Sequence, residues 1–281
     1  MDYRNYFKCY NHALIPINPF SADIISSEIK KDIWSKNLWG GVTPLLIRYT
    51  KNFDSKYETK FWYCIFDRVY NIDNLPRKRR YEIRKSRENF IVKKIMPLSI
   101  SRELYNIFIA AQKSYPKKNQ RTISYVEFEA ELKKLYELYG DSFYVTYYKG
   151  EVPAGYLIYY IKDNYGELIT LKQLPEYEKY FVNYSLIDYV LKESNYYLKS
   201  CNFFVTDGSR NVNHDTHFQS FLEQKFGFRK AYCNLIIIYN KKIKWIVKIL
   251  YAFRKILKKL DNFKFFHLIN SVLKMEELSK G

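Results

Sequence analysis

The densest group of side chains able to do chemistry is TDGSRNVNHDTHFQ, residues 206–219, which gathers Asp207, Arg210, His214, Asp215 and His217 and two of the four histidines of the chain. Histidine exchanges protons near neutral pH. An aspartate at the end of a strand can orient an amine or take its proton, and arginine forks onto a carboxylate or phosphate. The segment therefore predicts acid–base work, centred on Asp207 and His214, with His217 and Arg210 beside them. The same residues have a purely structural use, in which Asn213 or Asp215 caps the next helix and Gly208-Ser209 turns the chain. His214-x-x-His217 brings no third ligand, so no metal is expected. No phosphate-binding P-loop, dinucleotide fingerprint or nucleophile elbow is present, which favours direct transfer without a covalent enzyme intermediate.

The elements that must position this segment alternate between strand and helix. FWYCIF (61–66) and FIVKKI (90–95) read as strands, and residues 101–114 and 124–139 follow helical periodicity. Three strands come next, at 142–148, 153–161 and 165–172, joined by turns at Lys149-Gly150-Glu151 and Asp163-Asn164 short enough to imply an antiparallel meander. A helix over 182–198, a strand over 202–207, a helix from about His214 to Phe226 and a strand over 231–239 complete the order. Tyr156, Tyr159 and Tyr160 alternate on the middle strand, so one face is core and the other, with Tyr159, lines an acceptor cleft. Lys172 and Gln173, ending the following strand, flank a donor. The fold class expected is mixed α/β, a mostly antiparallel central sheet flanked by helices.

The chain has 281 residues, 47 Lys+Arg against 29 Asp+Glu, a net charge of +18 and 19% aromatic residues. Such a chain can bury a substantial core, and 9 Gly and 8 Pro exclude collagenous or low-complexity architecture. There is no apolar run of about 18 residues to span a bilayer and no secretory leader, and the four scattered cysteines read as reduced thiols, so a cytoplasmic setting is expected. The excess charge points to polyanions, anionic membrane or phosphorylated substrates, tempered by a composition typical of A/T-rich coding.

It concentrates in two places. Helix 75–87, capped by Asp73 or Asn74 with Pro76 in its first turn, carries Arg79, Arg80 and Arg84, a substrate- or phosphate-contacting set. In the tail, Ile243, Ile246, Val247, Leu250, Phe253, Leu257 and Leu260 form one stripe and lysines another, a basic amphipathic helix over 241–260 able to lie on the inner face of a membrane. Three regions result: an N-terminal lobe (1–89), a core (90–240) and the tail (241–281). A non-catalytic nucleic-acid-binding protein is the alternative that this charge pattern allows.

The order strand, two helices, three antiparallel strands, helix, strand, helix, strand resembles the GNAT-type N-acyltransferase fold. FLEQKFGFRKAY (221–232) is similar to that family's late helix ending in a Gly-Phe pair, and LPRKRRYEIRKS resembles the basic helix of its Fem-like branch of cell-envelope acyl- and aminoacyltransferases. The resemblance implies transfer of an acyl group from an acyl-CoA-type thioester to the amine of a sugar or envelope precursor, with charged tRNA as the alternative donor. It places the donor along QLPEYEKYFVN (173–183) and into the next helix, at Lys172, Gln173, Asn183 and Tyr184, although the family's glycine-rich pyrophosphate loop is not there. Where many relatives carry a tyrosine that protonates the leaving thiolate this chain has Glu223, and Tyr232 or Tyr184 would serve instead.

Overall fold

In the computed structural model, residues 3–20, 31–117, 120–200, 202–212, 217–261 and 264–280 are described. Their strands pair mostly antiparallel and are flanked by helices, the mixed α/β class expected. The chain forms two compact units.

The first comprises described residues of 1–63, 209–217 and 230–281. Strands β1 (Phe7–Tyr10) and β2 (Ala13–Pro16) form a hairpin turned by Asn11 and His12, both at positive φ as a tight two-residue turn requires. β2 runs parallel to β3 (Leu46–Ser55), which pairs antiparallel with β10 (Arg229–Tyr239) from Leu46↔Tyr239 to Ser55↔Tyr232. Leu14, Ile33, Trp39, Ile47 and Tyr49 make its core, and the Trp39 indole donates to the Ile33 carbonyl at 2.7 Å.

The second comprises 64–208 and 218–229. Strand β4 (Phe61–Phe66) contributes its last three residues to it. β5 (Phe90–Lys94), β6 (Phe143–Tyr148), β7 (Val152–Lys162) and β8 (Tyr165–Gln173) are antiparallel neighbours, and β9 (Phe204–Ser209) joins β8 in parallel. Lys149 and Gly150, both at positive φ, reverse the chain between β6 and β7. Helices α2 (Ser101–Lys113) and α3 (Tyr125–Tyr139) bury Leu104, Ile107, Phe108, Phe128 and Leu132 on Val145, Tyr156 and Ile158. Ser124 and Glu127 start α3 with a reciprocal capping box, which satisfies two end amides at once. α4 (Val182–Leu198) packs on β6, β7 and β8, with α1 (Arg77–Asn89) against it. α5 (His217–Phe226) stops at Gly227, φ 75, where the Gly227 and Phe228 amides donate to the Glu223 and Leu222 carbonyls, the glycine stop its sequence predicts.

Two local expectations change. Neither Asp73 nor Asn74 caps α1: Asn71 caps a 3-10 turn over Ile72–Asn74, Leu75 is extended as a residue before proline prefers, and Pro76 takes the cap position itself. The tail is not one helix over 241–260: α6 (Lys241–Ala252) breaks at Phe253, where φ −96° and ψ 7° leave the helical region, and α7 (Arg254–Lys258) and α8 (Lys264–Leu278) pack back on one another and on α6. Folding back lets Val247, Leu273 and Leu278 leave water together, which a straight helix would not allow.

The basic helix is partly consumed by structure. Arg87 donates from Nε and Nη2 to the two oxygens of Asp188 at 2.9 and 2.8 Å, and the Tyr70 hydroxyl and Lys192 add contacts at 2.8 and 2.9 Å. Asp188 is buried, so removing its forked partner strands a charge. Arg87→Met is expected to cost about 2–3 kcal/mol, less than a fully orphaned buried carboxylate because Tyr70 and Lys192 stay. Lys192→Met, cutting a more exposed i,i+4 pair, should cost well under about 1 kcal/mol. Thermal melts of the two variants check this, and equal losses would refute it.

Candidate active site

β8 and β9 share a ladder of three pairs only: Tyr165↔Phe204, Gly166↔Val205 and Glu167↔Thr206. Beyond it the strands part, and β8 continues on β7 as far as Gln173. Two residues past Glu167, the β7–β8 register skips from Leu168↔Tyr159 to Thr170↔Ile158, so Ile169 is the extra residue of a bulge. A bulge leaves its extra residue outside the ladder and re-aims the strand. The fork thus brings together a distorted strand, β8, and the part of β9 beyond its ladder with β8.

Asp207 is the first residue of β9 past the ladder. Its place is fixed on both sides. Thr206 donates its hydroxyl to the Cys64 carbonyl at 2.9 Å and accepts the Gly208 amide at 2.9 Å, and Gly208 turns at φ 82, a conformation that disfavours a side chain. Loss of solvation pushes the Asp207 carboxyl up, a hydrogen bond from Gln219 pulls it down, and the neighbouring Glu167 charge pushes it up again, to about 7. A carboxylate poised there takes a proton near neutral pH far better than an ordinary aspartate. Gln219 is buried on α5 in the same stripe as Leu222 and Phe226.

The sequence reading did not include Glu167 or Gln219. Gln219 carried a signal, being a polar residue at i relative to apolar i+3 and i+7 positions on the face of a helix. Glu167 carried none, because its proximity to Asp207 comes from parallel pairing across nearly forty residues of chain.

The other expected site residues are dispersed. His214, like Asn213 and Asp215, lies outside the described residues. His217 opens α5 and is exposed, and Glu223 is half-buried one turn before its end. In the first unit, Arg210 donates to the Lys60 carbonyl and lies 5.9 Å from the Trp62 ring, which Lys230 approaches to 5.1 Å, while the Tyr232 hydroxyl donates to Glu58 at 3.0 Å. Lys172 reaches the Tyr115 hydroxyl at 2.9 Å, and Gln173 donates to Glu178 at 2.7 Å.

Tyr184 and Arg79 meet, but in a structural network: both bond Glu82, at 3.0 and 2.8 Å. Burial raises that carboxyl, yet those two hydrogen bonds and the Arg79 and Lys225 charges outweigh it and hold Glu82 below the usual range. Arg80 bonds the Asp73 carbonyl and Arg84 faces its carboxylate at 3.9 Å. Tyr159 lines no cleft, because helices cover both faces of β7: its ring is 1% exposed and its hydroxyl lies 2.6 Å from Ser194 of α4. The alternation that suggested a cleft presumes one open face.

No family model and no curated protein matches the chain. Solved structures do. A functionally unknown conserved protein from Staphylococcus epidermidis is similar at 11% identity over 70% of this chain and 73% of that one, TM-score 0.40. L-PGS from Bacillus licheniformis is similar at 14% identity over 70% of this chain and 62% of its own, TM-score 0.39. A conserved protein of Enterococcus faecalis, described as a probable N-acyltransferase, is similar at 11% identity over 70% and 44%, TM-score 0.30. The chain spans less than two thirds of the last two.

A coenzyme A pyrophosphate held at a glycine loop does not fit the segment between β8 and α4. Residues 174–181 all carry side chains, Glu176 and Glu178 present carboxylates there, and Phe181, not glycine, takes the left-handed position (φ 66, ψ 41) that opens α4. Backbone can approach a phosphate closely only where no side chain stands in the way. The Asn183 Oδ1 and Gln173 Oε1 atoms nearby are buried with no hydrogen-bond partner. Among the described residues, no group of three metal-binding side chains occurs.

Proposed function

We propose that the protein is an N-acyltransferase in which Asp207 takes the proton of an acceptor amine at the fork of β8 and β9. The observation that supports it most is the fork itself: two parallel strands that part after three pairs, with a carboxyl raised to about 7 at the point of parting. An acyl donor laid along the freed edge of β8 would present its carbonyl to backbone amides near the Ile169 bulge, and such fixed donors stabilise the oxyanion of acyl transfer. The amine nitrogen attacks the carbonyl carbon, the new C–N bond forms, the bond to the leaving group breaks, and the amine proton passes to Asp207. Gln219 holds the carboxylate for that transfer, and Glu167 keeps it basic.

The donor is an activated acyl ester, and an acyl-CoA-type thioester is the first candidate. Because the glycine cradle is missing, its pyrophosphate would rest on side chains rather than backbone. An aminoacyl ester of tRNA is the second reading, favoured by Arg77 and Lys78, which stand exposed on α1 with no ion-pair partner among the described residues. The acceptor amine belongs to a sugar or cell-envelope precursor.

Incubation of the purified chain with a panel of acyl thioesters, charged tRNA and amino sugars, read by mass spectrometry, tests the proposal. An acylated amine formed faster than in buffer, and lost with Asp207→Asn, is the expected result. Salt-sensitive binding to nucleic acid, with no acylation from any donor, would replace the proposal with a binding function.

A further inference from the structure

The helical end of the first unit has two apolar faces. Val247, Leu273 and Leu278 are buried, and Ile243, Leu250, Leu257 and Leu260 are half-buried, so most of the stripe apparent in the sequence faces inward. A second set does not. Trp245 is 68% exposed, Ile249 60%, Phe253 55% and Ile256 61%. Trp245 and Ile249, four residues apart, lie on one side of α6 with the exposed Ile246 adjoining them, while Phe253 stands at the break and Ile256 on α7.

Cations border that strip. Residues 241–260 hold seven lysines and one arginine and no acidic residue. Lysines 241, 242, 244, 248, 255, 258 and 259 are exposed, and among the described residues none has an ion-pair partner. Of the three acids in the neighbouring segment 261–281, Glu276 is engaged by Tyr239 and Lys280 and Asp261 by His267, which leaves the exposed Glu277 against the seven lysines and one arginine. Large exposed apolar groups on a soluble surface mark a docking site. The concentration of unneutralised charge selects the occupant, since a second copy would bring eight like charges against eight, whereas a bilayer of anionic lipid supplies both phosphates and hydrocarbon.

We propose that the face formed by Trp245, Ile249, Phe253 and Ile256 docks on an anionic lipid bilayer. The helices lie in the interface: none in the described residues is long and apolar enough to cross it. The indole sits at headgroup depth, the aliphatic and phenyl groups sink below it, and lysines flanking the strip reach lipid phosphates, a division that suits each side chain's polarity.

Flotation of the full chain with vesicles of phosphatidylcholine, with and without phosphatidylglycerol, tests this. Binding is expected only with the anionic lipid, to weaken as salt rises, and to shift Trp245 emission to the blue. Ile249→Glu/Phe253→Glu changes two exposed positions, so the melting temperature should hold while partition falls by at least about tenfold. Lys242→Gln/Lys244→Gln/Lys248→Gln should lose comparable binding and flatten the salt dependence. The proposal is overturned if the wild-type chain stays with the soluble fraction on anionic vesicles, if the double variant floats as well as wild type, or if the wild type proves a dimer that this variant dissociates. None of these readouts depends on acyl transfer.

Discussion

An Asp207→Asn variant is expected to fold, to melt higher than the wild type at pH 8, and to lose at least about a hundredfold in acyl transfer. The two effects share one cause. Burial and the Glu167 charge lift the carboxyl from an ordinary value of 3.8 to about 7 in the folded chain. The folded state therefore binds the proton more tightly than the unfolded state, and stability from this group is present in acid and lost as pH rises from about 4 to about 7. Above 7 the ionised carboxylate costs up to about 4 kcal/mol, which an uncharged amide would not. That cost is the condition for a base that works near neutrality.

The pH profile separates a proton-handling role from a structural one. Wild-type turnover should rise through about pH 7, with about a tenth of the carboxyl ionised at pH 6 and about nine tenths at pH 8. Glu167→Gln removes the repelling charge and should move the midpoint to lower pH. Gln219→Ala removes the hydrogen bond that favours the carboxylate and should move it higher. Opposite shifts from two neighbours that do not themselves take the proton would be hard to obtain if Asp207 only shaped the loop. Full turnover in Asp207→Asn, or midpoints that stay put in both neighbours, would remove the aspartate from the mechanism.

Local signals carried much of this fold. The Lys149-Gly150 turn and the Gly227-Phe228 stop each act through bonds made within a few residues, and each appears where the sequence places it. The register that pairs β8 with β9 could not be read from the sequence. Which carboxylate lies beside Asp207 depends on that register. Helix α1 shows the complementary failure. A run of arginines on a helix looks like a polyanion contact, yet Arg79 is taken by Glu82, three residues on along the same helix, and Arg87 neutralises Asp188, an acid that sits beside it only after packing. The tail shows it again: one apolar stripe was visible in the sequence, and the fold-back on α8 decided which apolar residues went inside and left another set facing water.

Gly166→Ala should be among the most damaging single methyl additions in the chain. A Cβ at that position would stand 2.0 Å from the Tyr159 hydroxyl oxygen, 2.5 Å from Cζ and 2.6 Å from Cε2. A flexible side chain could swing away. Tyr159 cannot, since its ring is enclosed between β7 and α4 and its hydroxyl is tied to Ser194 at 2.6 Å. Either the ring leaves its rotamer or β8 moves away from it, and β8 is paired on both sides here, to Ile161 and Val205. Overpacking of this kind costs about 3 kcal/mol, which for a chain of this size lowers the melting temperature by about 6–12 °C. Gly166 also precedes Glu167, the last laddered residue of the fork, so turnover should fall even at temperatures where the variant remains folded. Tyr159→Phe alone should be mild, about 1 kcal/mol, because Ser194 still donates to the Val190 carbonyl. Added to Gly166→Ala it should restore little, as the ring carbons still collide. Tyr159→Leu in the same background removes the distal ring atoms and should recover a larger part of the loss. A melt of Gly166→Ala that matches the wild type, or a Tyr159→Leu/Gly166→Ala double variant no more stable than the single, would show that the backbone at the fork yields more easily than its pairing implies.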